Sequence, residues 1–250
     1  MPPDRTEASL LRRAVTAPRR RHAARKQRQL AEQEMQRAEE ERQRVEDARA
    51  ERLRVAQSST GLMLDVGTST EYLAPGWLSL DLNPDDEALR LDASKPWPLP
   101  DGCARAVRAE HMIEHLSWDE AALCVREIAR VLEPGGLCRI CTPDLEGIAR
   151  AYLERDTRIL NAHRKDGYVA PTWSHMPNNY LRMWGHHFVF DFDALRFLLE
   201  GAGFERVERT GFNESRHELL EGTDTHDMGE LERLVVCVDA VKRASSAASA

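Results

Sequence analysis

Two short apolar runs, each carrying an acidic residue near its end, constrain the fold of this chain more than any other feature. Residues 62–67 read LMLDVG, and residues 77–82 read WLSLDL. Apolar runs bounded by turn residues are typical of buried strands in a parallel sheet. Glycine lets the backbone approach a ligand closely, and a carboxylate at a strand end can accept hydrogen bonds from a ribose diol. The two runs therefore predict a nucleoside site at the ends of adjacent strands.

The rest of the chain alternates between short apolar runs and helical patterns. Ser117 and Glu120 have the spacing of a capping box at a helix start, and Pro143 suits the first turn of another helix. Further strands are predicted at residues 88–92, 104–109, 137–142, 204–212 and 231–241. The alternation predicts an α/β fold, a doubly wound, seven-stranded and mostly parallel sheet with abbreviated first crossover helices. Ligands of such sheets bind outside the carboxyl ends of the strands.

The sequence divides into an N-terminal arm and one α/β domain. Residues 1–18 lack periodicity and are expected to be disordered, whereas 19–57 contain no Gly or Pro and predict a charged helix. Its apolar stripe is thin and interrupted by arginines, which favours a solvated helix over a coiled coil or a partner-binding arm. The domain is expected at 58–243, before a flexible tail at 244–250. The domain's aromatic- and histidine-rich segment at about 155–191 is predicted to be an acceptor-side insertion.

Composition excludes several classes of function. Residues 1–57 hold 15 basic and 10 acidic side chains, and the remainder holds 20 and 32. Such an acidic domain is a poor binder of nucleic acid. No apolar run approaches the ~20 residues of a membrane span, and no secretory signal is recognisable, so a soluble, cytoplasmic protein is expected. The five cysteines have no framework spacing, and Cys138 and Cys141 would face opposite sides of a strand.

Several segments resemble, in order, the motifs of class I S-adenosylmethionine-dependent methyltransferases. They are residues 64–67, 80–82, 91–93, 110–116 and 130–136. The last, RVLEPGG, is the most specific match, and the resemblance extends over roughly residues 61–241. Residues 75–77 and 184–187 resemble one subgroup of small bacterial enzymes that is associated with polysaccharide or other cell-surface assembly.

The resemblance implies S-adenosylmethionine as the cofactor and assigns residues to it. The first motif would hold the methionine part, the second the ribose hydroxyls, and the third the adenine. The implied cofactor-binding residues are Asp65, Gly67, Thr68, Ser69, Asp81, Leu82, Asp92, Ala93 and Glu110. The chain departs from the family pattern at Thr68-Ser69, where a second glycine is usual, and a Cβ there limits close approach to the ligand.

Catalysis of methyl transfer is expected to depend mainly on alignment, because the reaction is an in-line displacement. An alcohol acceptor also needs a proton acceptor, for which histidine is suited near neutral pH. The candidates are His111 and His115 beside the cofactor, and His186 and His187 on the acceptor side. Glu114, His115 and Asp144 are considered as ligands of a divalent metal ion. No metal is predicted, because Glu114 and His115 are expected to be adjacent helical residues, whose side chains point in different directions.

Two functions remain open from the sequence. The first is transfer of a methyl group to an oxygen of a saccharide or small-molecule acceptor. The second is a catalytically weak or inactive methyltransferase-like scaffold that acts through residues 19–57, by self-association or in a larger assembly with a protein partner. Ser69 in place of glycine and the charged arm motivate this second hypothesis. Turnover of cofactor by the isolated domain would separate the two.

Overall fold

The computed structural model describes residues 5–68, 73–82, 88–226 and 228–244, with side chains from Arg25 onward. The chain separates into two compact units, Met1–Ala50 and Glu51–Ala250. Ser69, one of the predicted cofactor-binding residues, lies outside the described residues.

The first unit consists of a long helix, α1, which spans Arg5–Ser58 and continues into the second unit. The predicted disordered start at 1–18 is therefore wrong from Arg5 onward. The reason is that the Ala, Leu and Arg residues there have high helix propensity, which needs no apolar periodicity. Between residues 25 and 50 nearly all side chains are exposed, and ion pairs such as Arg49–Glu46, at 3.0 Å, bridge successive turns.

The second unit is built on a seven-stranded sheet with the order β3-β2-β1-β4-β5-β7-β6. The strands are β1 Leu62–Val66, β2 Leu78–Asp81, β3 Leu89–Arg90, β4 Ala104–Glu110, β5 Leu132–Pro143, β6 Phe204–Thr210 and β7 Val235–Lys242. All neighbours are parallel except β7, which is antiparallel to β5 and β6. The predicted Rossmann-like, mostly parallel sheet is confirmed. The described residues between β1 and β2 contain no helix.

Within the described part of the chain, five further α-helices accompany the sheet. They are α2 Trp118–Val131, α3 Leu145–Glu154, α4 Thr157–Lys165, α5 His175–Arg182 and α6 Phe192–Gly201. The capping box of α2 is confirmed, since the Ser117 N–H and hydroxyl both donate to Glu120 Oε2, at 2.9 and 2.7 Å. Pro143 ends β5 and does not open α3, whose N-cap is Asp144. The predicted start of β7 at 231 is also too early, because residues Gly229–Leu234 form a 3₁₀ turn.

The two faces of the sheet differ in chemistry. One face is apolar and packs residues such as Leu64 and Ile140 against α2 and α6. Leu53 and Ala56, from the last turns of α1, join the same core. The side chains that alternate with these face the other way. They include buried charges, above all Arg139, which binds Asp224 and Asp239.

The two cysteines of β5 lie on opposite faces of the sheet. Cys138 lies in the apolar core, whereas Cys141 contacts Cys237 and Asp224 on the charged face. All five cysteines are buried free thiols. Within the described residues, none of the helices combines the length and apolar character of a membrane span.

Candidate active site

A cavity of about 360 Å³ lies at the carboxyl ends of β1, β2 and β4. Its lining comprises Val66, Gly67, Leu80, Asp81, Leu82, Leu91, Asp92, Ala93, His111, Met112, His115 and Leu116. Five predicted cofactor-binding residues meet here, namely Gly67, Asp81, Leu82, Asp92 and Ala93. The parallel arrangement causes this, because it brings the ends of β1, β2 and β3 to one edge of the sheet.

Gly67 fixes the turn that leaves β1. Its φ is +86°, and its N–H donates to the Leu80 carbonyl at 2.8 Å. A Cβ on Gly67 would overlap the Met112 side chain. The glycine therefore lets the β1 turn and the segment after β4 approach each other at the cavity wall.

Two acids give the cavity its charge. Asp81 is the last residue of β2, and Asp92 follows β3. The Ser94 hydroxyl and N–H donate to Asp92 Oδ1 at 2.6 and 3.0 Å, and the hydroxyl bond is the main reason that the pKa of Asp92 is lowered. Asp92 thus stays ionised near neutral pH.

These residues fit S-adenosylmethionine. Carboxylates at strand ends can accept from ribose hydroxyls, and their charge is complementary to a sulfonium cation. Leu82, Ala93 and Leu116 supply apolar surface for a flat base.

Asp65 and Thr68 lie outside the lining of this cavity. The Asp65 side chain is fully buried, forms an ion pair with Arg108, and accepts from Thr68 Oγ1 at 3.0 Å. Burial raises the pKa of Asp65 more than Arg108 lowers it. The geometry therefore gives Asp65 a role in the packing of β1 against β4, and no contact with the cavity.

Glu110 is also buried away from this cavity. Its carboxylate accepts from the Thr225 N–H, the Thr225 hydroxyl and the His226 N–H at 2.8–3.1 Å. Burial opposes ionisation, but the bonds from His226 and Thr225 prevail and lower the pKa of Glu110 to about 2. Glu110 thus ties the segment before β7 to the end of β4.

A second cavity of about 400 Å³ adjoins the first. It is lined by His111, Glu114, His115, Pro143, Asp166, Tyr168, Tyr180, Trp184, His186, His226, Met228 and Leu231. His111 and His115 line both cavities. The 155–191 segment contributes one wall through α5 and through Trp184, whose φ is +56°.

His111 is held in a defined orientation between the two cavities. Its Nδ1 lies 3.2 Å from Glu114 Oε1, and its buried Nε2 has no hydrogen-bond partner among the described residues. Glu114 Oε2 accepts from Thr142 Oγ1 at 2.8 Å. Burial raises the pKa of Glu114, but hydrogen bonds, above all that with His111, lower it by more, so that the carboxylate is ionised. An imidazole oriented by a buried carboxylate has the geometry of a general base.

The other predicted histidines divide between the cavity and the surface. His186 Nδ1 lies 2.7 Å from the Tyr180 carbonyl, to which it must donate, and its ring centroid is 5.1 Å from that of His115. Burial lowers the pKa of His186. His187 is exposed and lines neither cavity, although its N–H donates to the Glu114 carbonyl at 2.8 Å.

Sequence reasoning missed several side chains of the second cavity. Tyr168 and Tyr180 flank Trp184, with ring centroids 4.9 and 5.6 Å away. The accumulation of aromatic residues in 155–191 was a signal for this wall. No local pattern indicates that His226 lines this cavity, because its position depends on a hydrogen bond to Glu110, which lies more than a hundred residues earlier in the chain.

The comparison with protein families identifies the domain. Residues 76–140 match a family model described as a methyltransferase domain. This match includes β2, β3, β4, α2 and the first part of β5, and thus most of the cofactor cavity. Residues 76–140 thus belong to a methyltransferase domain.

Several solved structures are similar to this chain at low sequence identity. An S-adenosylmethionine-dependent methyltransferase from Archaeoglobus fulgidus is 16% identical, with a TM-score of 0.44, over 79% of this chain and 94% of that chain. The YcgJ protein from Bacillus subtilis is 11% identical, with a TM-score of 0.44, over 79% and 99%. A phosphoethanolamine N-methyltransferase from Haemonchus contortus, in complex with S-adenosyl-L-methionine, is 14% identical, with a TM-score of 0.44, over 74% and 49%. No curated protein matches this chain.

Proposed function

We propose that the methyltransferase modifies an oxygen atom of a saccharide or small-molecule alcohol held in the second cavity. The observation that carries this proposal is that His111 and His115 line both cavities. An acceptor in the second cavity and a cofactor in the first would thus meet at these two rings. S-adenosylmethionine, when bound, supplies an electrophilic methyl group on its sulfonium.

Gly67, Asp81, Leu82, Asp92 and Ala93 hold the cofactor in this proposal. Asp81 accepts from the ribose hydroxyls, and Leu82 and Ala93 border the base. The backbone of Gly67 sets the depth of the cavity. Asp65, Thr68 and Glu110 act indirectly, because they hold the ends of β1 and β4 in place.

His111 acts as the base. Its Nε2 would accept the proton of the acceptor hydroxyl, to which S-adenosylmethionine, when bound, would supply the methyl group. Glu114 positions the ring and stabilises the imidazolium that results. His115 and His186 line the acceptor cavity beside it, whereas exposed His187 takes no part.

The aromatic wall supports a saccharide or similar polyol as the acceptor. Tyr168, Tyr180 and Trp184 offer ring faces for the apolar C–H side of a sugar, and Asp166 can accept from its hydroxyls. The acceptor cavity thus combines a few polar groups with apolar rings, as binding sites for small molecules generally do.

Calorimetric titration with S-adenosylmethionine and its demethylated product tests the cofactor site. The Asp81→Ala protein should bind about tenfold more weakly or worse, since a lost hydrogen bond to a charged group costs roughly 1.5–3 kcal/mol. Asp119→Asn, at an exposed position of α2, should bind like the unmodified protein. Absence of binding at millimolar ligand, or an Asp81→Ala protein with unchanged affinity, would contradict the assignment.

A further inference from the structure

We propose that Glu114, His115 and His186 form a binding site for a divalent transition-metal cation at the boundary between the two cavities. One ligand atom from each of the three residues lies within 4.8 Å of the other two. A cation at this point would draw together a carboxylate oxygen and two imidazole nitrogens, which is a common donor set of metalloenzymes.

Glu114 is a buried anion without a permanent cation. Its side chain is 1% exposed, and among the described residues its one ion pair is with His111, which is charged only when protonated. A buried carboxylate is costly unless it is paired or coordinates a metal. Its Oε1 lies 3.2 Å from His111 Nδ1, and its Oε2 accepts a hydrogen bond from the Thr142 hydroxyl at 2.8 Å. Such outer partners orient ligating carboxylates in metal sites.

His186 has the tautomer that a ligand requires. Because the Tyr180 carbonyl can only accept, His186 Nδ1 must carry the proton. Its Nε2 therefore presents a lone pair on the cavity side. A ring nitrogen that donates to a backbone carbonyl, with the other nitrogen free, is the usual state of metal-ligating histidine.

His115 completes the set because of the local backbone. Residues Ile113–His115 form a 3₁₀ turn and not an α-helix. The His115 ring lies edge-on to His186, with an interplanar angle of 83°. From the sequence, Glu114 and His115 were considered as ligands only together with Asp144, and no metal was predicted. Asp144 caps α3 and binds Arg209 at 2.8 Å, whereas His186 arrives from the 155–191 segment.

The donor set selects the class of metal and suggests its role. Two imidazoles favour zinc, cobalt, nickel or iron(II) over magnesium or calcium, which prefer oxygen ligands. Three protein ligands leave at least one position open toward the second cavity. This role rests on the proposed function: an acceptor hydroxyl held at the open position would be aligned and made more acidic beside His111.

Titration of the tag-free, metal-free full-length protein with Co²⁺ tests the site. We expect one equivalent to bind with a visible d–d absorption band, and Zn²⁺ to displace it. His115→Gln and His186→Gln should each weaken binding at least tenfold. His187→Gln, an exposed neighbour on the same segment, should leave it unchanged. Equal affinity in all three variants, or no saturable binding, would overturn the proposal.

Two further measurements keep the result unambiguous. Thermal melting of the metal-free variants shows whether they are folded, and X-ray absorption of the unmodified protein reports the donor atoms directly. Nitrogen and oxygen donors with an imidazole signature support the site. Sulfur donors, or a near-ultraviolet thiolate band with Co²⁺, would place the metal at Cys141, Asp224 and Cys237 and overturn it.

Failure of this inference is distinguishable from failure of the proposed function. S-adenosylmethionine affinity is measured on the same metal-free preparations. Loss of cofactor binding argues against the proposed function, whereas intact cofactor binding with no metal uptake argues against the metal site alone.

Discussion

His111 combines an unusual backbone with a fixed side chain. Its φ of +50° lies in the left-handed region, which costs non-glycine residues of the order of 1–3 kcal/mol. Two interactions hold it there, a hydrogen bond from its N–H to the Cys141 carbonyl at 2.8 Å and the contact of its ring with Glu114. The strained residue lies where the two cavities meet, because His111 lines both of them.

Replacement of His111 by asparagine should lower kcat by about 10²–10⁴, the usual contribution of a general base. Asparagine tolerates a positive φ, so the fold and the cofactor affinity should change little. Release of S-adenosylhomocysteine with a panel of sugars and alcohols gives kcat, and calorimetry gives the affinity. His187→Asn is the matched control. A His111→Asn protein that keeps full turnover would show that the base lies elsewhere.

His226 and Glu110 form the second titrating pair near the site. His226 Nδ1 lies 3.3 Å from Glu110 Oε1, and this hydrogen bond is the main cause that raises the pKa of His226. Glu110, with a pKa of about 2, remains ionised throughout the physiological range. A raised folded-state pKa stabilises the protein below the unfolded pKa of about 6.5, and this contribution is lost as the pH rises through the folded pKa.

The His226→Gln protein should therefore be less stable than the unmodified protein at acidic pH and nearly equal to it at alkaline pH. Urea unfolding at about pH 5.5 and about pH 9 measures both differences in the free energy of unfolding. His187→Gln, at an exposed position, is the comparison variant. A difference that stays constant or grows with pH would contradict the assignment of the pair.

At the scale of elements, the turn after β1 sets the shape of the cofactor cavity. Gly67→Ala adds a methyl group at a φ of +86°, where it would overlap Met112. Gly167→Ala is a matched control, because its φ is +88° and a Cβ there would meet no atom within 4 Å. Both variants should lose about 1–2 kcal/mol from the left-handed backbone.

Gly67→Ala should lose roughly 1–3 kcal/mol more from overpacking and should bind S-adenosylmethionine much more weakly. Chemical denaturation and calorimetry measure the two effects. Equal losses in the two alanine variants would show that Met112 moves aside at no cost. The close approach of the two segments would then not depend on glycine.

The features that the sequence predicted correctly are those that depend on residues close together in the chain. The capping box at Ser117, the apolar runs of β1 and β2, and the glycine after β1 are each set by neighbouring residues. Helices α4 and α5 were missed because nine and eight residues are too few to show a periodic pattern.

Partners distant in sequence could not be predicted from local patterns. No local pattern indicates that Asp65 forms an ion pair with Arg108, or that Glu110 accepts hydrogen bonds from Thr225 near the far end of the domain. Both acids stand at strand ends, where the resemblance assigned them to the cofactor. In the structure, the register of β1 against β4 places Asp65 beside Arg108. The segment between β6 and β7 supplies the N–H groups that donate to Glu110.

At the scale of the whole molecule, the chain joins a polar helix to a domain with its own core. Residues 51–250 form a compact unit that includes the end of α1. Ala56, 3% exposed, belongs to the core of that unit, and Gln57 donates to the Pro98 carbonyl at 2.9 Å. Before that point the described side chains of α1 are largely exposed, including Met35 at 70%. The boundary of the domain thus falls within the helix, and the last two turns belong to the domain.

Deletion of residues 1–50 should leave the cofactor affinity and the free energy of unfolding unchanged, because none of the described side chains that it removes, from Arg25 onward, belongs to the core. Deletion of residues 1–57 is the contrasting control. It strips Leu53 and Ala56 from the core and should cost about 1–3 kcal/mol. Urea unfolding separates the two truncations, and sedimentation velocity compares their mass with that of the full chain.

If the arm mediates self-association, the full chain should sediment as a concentration-dependent oligomer and both truncations as monomers. Loss of turnover on removal of residues 1–50 would instead mean that the arm contributes to the enzyme itself.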